Sequence, residues 1–125
     1  MGVTAIGGLF FRAQDPEAMR AWYAEHLGVG SAPHGLWNMQ AGPSVFAPSP
    51  ADTDYFPADR QWMLNLRVED LDGLCAMLRA AEIEVITNFE WDMPGVGRFA
   101  RIHDPEGNPI ELWQPDESRK ISGGA

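Results

Sequence analysis

The stretch HDPEGNPIELWQP, residues 103–115, sets a carboxylate, Glu111, among Ile110, Leu112 and Trp113. A carboxylate in such a strand can ligate a metal, act as a general acid or base, or stand as a charge on a solvated face. Burial without a partner would raise its pKa toward neutrality, whereas a neighbouring Arg12 or Arg67 would lower it and make it structural. Arg12 and Arg67 are a second candidate pair, because two planar guanidinium forks suit a carboxylate or phosphate; the alternative is a pair of exposed charges at strand ends. His26, His34 and His103 are the only histidines, and their spacing matches no zinc pattern. His26 falls where a helix C-terminus would favour a cation, and His103 precedes a turn. Cys75 is the sole cysteine, which rules out an intrachain disulfide and a thiolate metal site built from it alone. It shares helical spacing with Leu71, Leu74 and Leu78, so it is expected to be a small core residue.

Composition narrows the classes of function. A chain of 125 residues with 45% hydrophobic content is long enough for one domain with its own core. Nine basic against eighteen acidic residues give a formal charge of -9, which repels phosphate backbones and anionic lipid surfaces. Neither nucleic acid nor a membrane is an expected partner. The start MGVTAIGGLFF has no basic leader, and no stretch approaches the roughly 20 apolar residues of a membrane span, so a cytoplasmic location is expected.

The elements that must position these groups come in two copies. AIGGLFFRA has the content of a strand and runs into QDPEAMRAWYAEHLGV. There Asp15 and Pro16 start a helix, Ala18, Met19, Trp22, Tyr23 and Leu27 recur at helical intervals, and Gly28 suits a left-handed close. The pattern returns in MLNLRVEDLDGLCAMLRAAEIEV, where Arg67 and Asp70 match Arg12 and Asp15 at one common offset, followed in step by Leu74 for Met19 and Ala76 for Ala21. Two copies make a duplicated half-domain rather than a solenoid. Shorter apolar runs follow each helix: LWNMQAG and SVFAP in the first half, EVITNF, GRFARIH and NPIELWQ in the second. Each half therefore reads as strand, helix and about three strands. DPEG, residues 104–107, is a type I turn that makes the last two strands a hairpin. PSPADTDYFPADRQ should be a connecting loop carrying Tyr55 and Phe56, and PDESRKISGGA lacks periodic apolar residues.

A duplicated strand-helix-strands half with Asp before each helix, closed by DPEGNPIELWQP, resembles the vicinal oxygen chelate superfamily, also called glyoxalase/bleomycin resistance/dioxygenase, over about residues 4–115. The resemblance implies an α+β fold of two βαβββ modules with curled mixed sheets around a cavity: a single domain over 1–125, module one at about 4–56, module two at about 61–115 and a tail at 116–125. It implies for many members a divalent metal held by His or Gln on first strands and Glu on late strands, which activates vicinal oxygens for lyase, isomerase, thiol-transfer or dioxygenase chemistry. Other members bind antibiotics without metal. Counting back seven residues from Asp15 and Asp70, as the family pattern suggests, lands on Gly8 and Met63, neither of which is a ligand for a hard ion. Glu111 matches the late-strand Glu, and GPSVFAPSP offers no counterpart. No metal and no other cofactor is expected.

Strand alternation gives a further argument. Leu9, Phe11 and Ala13, then Leu64, Leu66 and Val68, then Ile110 and Leu112 should pack under helices. The opposite face receives Gly8, Phe10, Arg12, Met63, Asn65, Arg67, Glu111 and Trp113, a mix suited to a small-molecule pocket. Phe10, Arg12, Met63, Asn65, Arg67 and Trp113 are thus the expected ligand-binding residues and Glu111 the catalytic candidate. Trp37, Met39, Trp62, Trp91 and Met93 suit a core or a subunit interface, and FEWDMPGVG a flexible loop at a cavity mouth. The expected function is small-molecule binding by a glyoxalase-like protein without a conventional metal site. The alternative is an enzyme of the same superfamily using Glu111 as acid or base or as an atypical metal ligand. The modules pair either within one chain or across a homodimer.

Overall fold

A computed structural model describes residues 1–116; the expected tail lies almost wholly outside them. Helix α1, Pro16–Leu27, begins as its sequence dictates: the Asp15 carboxylate accepts from the Ala18 N–H at 3.1 Å, and Gly28 closes the helix at φ 69°. Strand β1, Leu64–Arg67, leads into helix α2, Leu71–Ala80, where Asp70 caps the Gly73 N–H at 3.0 Å. The two caps sit at matching places of the repeat. Strands β2, Ile86–Thr87, β3, Gly97–His103, and β4, Pro109–Pro115, complete one βαβββ unit, with a short 3-10 turn at Phe89–Trp91.

The sheet is open and mixed, in the order β1-β4-β3-β2, with β1 parallel to β4 and the other pairs antiparallel. As expected, DPEG makes the β3–β4 turn, closed by the Gly107 N–H on the Asp104 carbonyl at 2.9 Å. Leu66, Ala100, Ile102, Ile110 and Leu112 cover one sheet face and pack with Met19 and Tyr23 of α1 and Leu71, Cys75 and Leu78 of α2. Leu64 and Val68 join the margin of that core. Cys75 is buried among them, and its burial pushes the thiol pKa up, as for an inert core thiol.

The first half departs from its expected pattern. Among the described residues α1 forms, but neither AIGGLFFRA nor LWNMQAG nor SVFAP enters a sheet. A strand exists only against a partner strand, and these segments find none among the described residues. Pro43, Pro48 and Pro50 also remove ladder donors from the stretch over residues 36–50. Instead, the Arg67 guanidinium grips it, donating to the carbonyls of Gln40 and Pro43 at 2.5 Å each. Ala13 packs at the core margin, whereas Leu9 and Phe10 are exposed and Phe11 lies edge-on to Tyr23 and Trp62. None of the helices among the described residues is long and apolar enough to cross a membrane.

Candidate functional site

The sheet face opposite the helices carries the polar residues. Register places Asn65 of β1, Glu111 of β4 and Arg101 of β3 side by side. Two residues further along lie Arg67, Trp113 and Phe99. Alternation forces this: once Ile110, Leu112, Ala100 and Ile102 face the helices, their neighbours face away. The Phe99 and Trp113 rings stack nearly parallel with centroids 6.4 Å apart, and the Trp113 indole N–H donates to the Val96 carbonyl at 3.0 Å. Trp113 is only 3% exposed, so it forms the floor of this face.

Glu111 is 8% exposed, and both its oxygens are occupied. Asn65 Nδ2 donates to Oε1 at 2.7 Å, and the Tyr55 hydroxyl donates to Oε2. Tyr55 arrives from the connecting loop. Its backbone carbonyl accepts from Arg101 Nη2 at 3.1 Å, and the Arg101 guanidinium lies 5.1 Å from the Tyr55 ring centroid and 5.7 Å from that of Trp91. The result is a buried carboxylate with two donors, walled by aromatic rings and a cation held against them. Burial, reinforced by the hydrogen bond to Glu111 and its negative charge, pushes the Tyr55 pKa up to about 12, with Arg101 pulling the other way.

Tyr23 is bound in a similar manner, its hydroxyl donating at 2.7 Å to the buried Asp104. Burial, then Asp104, raises its pKa well above the ordinary 10. The sequence contains two tyrosines and both are shifted upward, so absorbance titration at 295 nm has a simple expected outcome. The native protein should show almost no phenolate at pH 10, whereas the unfolded chain in denaturant should be about half ionised there. Because folded pKa values lie above unfolded ones, the stability these phenols contribute is complete below pH 10 and is lost as the pH rises, for Tyr55 between about 10 and about 12. A native transition centred at pH 10 would contradict both contacts.

Of the expected residues, the structure brings Asn65, Arg67, Glu111 and Trp113 onto one face. Met63 lies one residue before β1, half-buried. Phe10 and Arg12 line neighbouring clefts elsewhere, one of about 410 Å³ with Gln14, Arg60, Glu106 and Asn108, the other of about 320 Å³ reaching Phe10, Phe11 and Trp62. Arg12 therefore shares its cleft with Arg60, while Arg67 is committed to backbone carbonyls, and no guanidinium pair forms between Arg12 and Arg67. Sequence reasoning missed the roles of Tyr55 and Arg101, and placed Trp91 only in a loop at a cavity mouth. Arg101 was within reach of alternation, since Ala100 and Ile102 flank it. Nothing local marks Tyr55 as the partner of a residue 56 positions away.

The donors here do not fit the divalent metal that the resemblance implies. Gly8 and Met63 offer no hard ligand, Glu111 has the Arg101 cation at the adjacent register position, and its oxygens are engaged by Tyr55 and Asn65. Among the described residues no three His, Cys, Asp or Glu side chains gather as a metal cluster.

Comparison with known proteins agrees with this architecture. The profile of the glyoxalase-like domain matches residues 8–113. The chain is similar in structure to TnmS3, an antibiotic-binding protein from Streptomyces sp. CB03234, at 28% identity and TM-score 0.56, covering 93% of this chain and 99% of that one. It also aligns with a glyoxalase/bleomycin resistance protein from Streptomyces sp. CB03234, at 30% identity and TM-score 0.45, over 81% of this chain and 92% of that one. None of the curated proteins matches it. With a profile spanning most of its length and the βαβββ unit and closing hairpin in place, the chain belongs to the glyoxalase-like domain family of the vicinal oxygen chelate superfamily.

Proposed function

We propose that this protein binds a small organic molecule without a metal, in the manner of a sequestering or resistance protein, on the sheet face that carries Glu111. The observation that carries this reading is the composition of the site: one buried carboxylate, satisfied by organic donors and bordered by Arg101, Trp91 and Trp113. Aromatic walls with a few convergent polar groups are the usual make-up of a small-molecule site. The likeness to an antibiotic-binding protein supports the same class of ligand. The test is calorimetry against a panel of aromatic antibiotics, with and without EDTA, and mass spectrometry of the recovered ligand. Binding should be unaffected by EDTA and the ligand recovered unchanged. Conversion of the ligand that disappears in Glu111→Gln would overturn this in favour of an enzyme.

The working unit in this proposal is a cytoplasmic homodimer. The buried free thiol of Cys75 suits a reducing compartment. The first-half segments expose Phe10 at 97% and Phe46 at 88%, together with Ile6, Leu36 and Met39, a concentration of large apolar side chains in one part of the chain that a partner subunit would cover. Sedimentation equilibrium should give twice the chain mass of 13.8 kDa. In Phe10→Ser/Phe46→Ser the dimer should weaken at least tenfold, and a wild type that sediments as a monomer at high concentration would refute it.

A further inference from the structure

Tyr55 is attached to the sheet in an unusual way for a residue that satisfies a buried carboxylate. Between Pro50 and Pro57, the backbone contacts of Thr53 and Tyr55 stay within the loop: the Thr53 N–H meets the Pro50 carbonyl at 3.0 Å and the Tyr55 N–H meets Thr53 Oγ1 at 3.2 Å. Among the described residues, the hydrogen bonds that leave the stretch 50–56 are the two made by Tyr55, its hydroxyl to Glu111 and its carbonyl from Arg101, and the connecting loop is next tied down at Arg60, which donates to the Glu106 carbonyl at 3.3 Å. The residue is 42% exposed although its hydroxyl reaches a group that is 8% exposed. Swinging Tyr55 outward therefore breaks two hydrogen bonds and uncovers a slot the size of one aromatic ring, bounded by the Arg101 guanidinium and by Glu111 and Asn65. Arg101 Nε is buried and has no hydrogen-bond partner among the described residues.

We propose that the ligand of this site carries a hydroxyaryl group, and that Tyr55 holds the place of that group in the free protein. On binding, the ligand's ring replaces the Tyr55 ring against Arg101 and its hydroxyl donates to Oε2 of Glu111, while the loop carrying Tyr55 moves aside. The chemistry of the slot selects this class. An anionic group would meet the Glu111 carboxylate, and an ammonium would meet the Arg101 cation beside it. An ether or a bare hydrocarbon would leave Oε2 without a donor in a buried setting, which is what such a site rejects most strongly. A neutral hydroxyl on a flat ring meets none of these penalties. The inference rests on the small-molecule-binding reading above and names the ligand class for the same face.

The experiment removes the internal occupant and offers simple probes. Phenol and anisole, alike in shape but differing in the donor, are titrated by calorimetry into the wild type, Tyr55→Ala and Tyr55→Ala/Glu111→Gln. Tyr55→Ala should bind phenol at least tenfold more tightly than the wild type does and at least tenfold more tightly than it binds anisole, with the preference shrinking several-fold in the double variant. Should Tyr55→Ala not fold, Tyr55→Phe serves in its place. It keeps the ring but frees Oε2, and should gain several-fold in affinity for 4-methylphenol, which is neutral at pH 7, and none for 4-methylanisole. Equal binding of phenol and anisole by the opened site would overturn the hydroxyaryl class while leaving small-molecule binding intact. Failure of every variant to bind either probe, alongside a wild type that binds nothing in the antibiotic panel, would overturn both.

Discussion

Asp104→Ala should be among the most destabilising single substitutions in the chain, lowering the folding free energy by about 3–4 kcal/mol. The carboxylate is 5% exposed and gathers four donors: the Tyr23 hydroxyl at 2.7 Å, Asn108 Nδ2 at 2.8 Å, and the N–H groups of Glu106 and Asn108 at 2.9 and 3.0 Å. Each hydrogen bond to an ionised acceptor is worth about 1.5–3 kcal/mol against an unsatisfied state, but the turn amides can recover water, so the sum is discounted. The Tyr23 hydroxyl cannot recover it as readily, because Tyr23 is 8% exposed on the core-facing side of α1. The residue also helps to tie α1 to the β3–β4 turn, two parts far apart in sequence, alongside Glu106, whose carboxylate accepts from the Gln14 and Asp15 N–H groups at 2.7 and 3.0 Å. Urea denaturation should report the loss, with a midpoint of thermal unfolding about 10 °C or more below the wild type for a chain of this size. Tyr23→Phe removes one donor and leaves the other three, and should cost only about 1 kcal/mol. Combined with Asp104→Ala it should add almost nothing, since its partner is already gone. Additive losses would show that the two residues act separately.

The same residues show what a sequence can and cannot disclose. Asp104 was legible as the first place of a type I turn, because turn chemistry is local: Asp, Pro and Gly sit within four positions of one another. Its second role, as acceptor for Tyr23 across 81 positions, was not. The helix caps at Asp15 and Asp70 and the helix-facing rows of β1 and β4 were legible for the same local reason, since period and cap depend on neighbours along the chain. The first-half strands were misread because apolar and β-branched content measures fitness for a sheet and not the presence of a partner strand. AIGGLFFRA has that content and no partner strand among the described residues. Glu111 was legible as a carboxylate out of place in an apolar strand, and alternation gave Asn65 and Trp113 as its companions. Tyr55 was hidden because the loop that carries it has no period, and because the contact that gives it meaning is made by its last atom.

Gly97 supplies the second large expected effect, and it bears on the site directly. At φ 145° it occupies a backbone region that side chains rarely adopt. A Cβ there would collide with the Gln114 carbonyl oxygen and would lie 2.7 Å from Trp113 Nε1. Gly97 also exchanges hydrogen bonds with Met93, each at 2.9 Å, and so closes the loop whose Val96 carbonyl accepts the Trp113 indole N–H. Gly97→Ala therefore combines backbone strain of about 1–3 kcal/mol with overpacking of about 1–3 kcal/mol, for a total near 3–4 kcal/mol. The backbone cannot yield without shifting the start of β3, which pairs with Pro115 at the end of β4. The damage should be visible spectroscopically as well as in the unfolding midpoint. Trp113 would lose its carbonyl partner and its seat against Phe99, so near-ultraviolet circular dichroism should weaken even where the far-ultraviolet signal of α1 and α2 survives. Ligand affinity should fall in parallel, because Trp113 is the floor of the face that carries Glu111. A Gly97→Ala protein with wild-type stability and an unaltered tryptophan signal would mean that the close approach between the two strands is absent in solution, and with it the rigid floor on which the binding site is built.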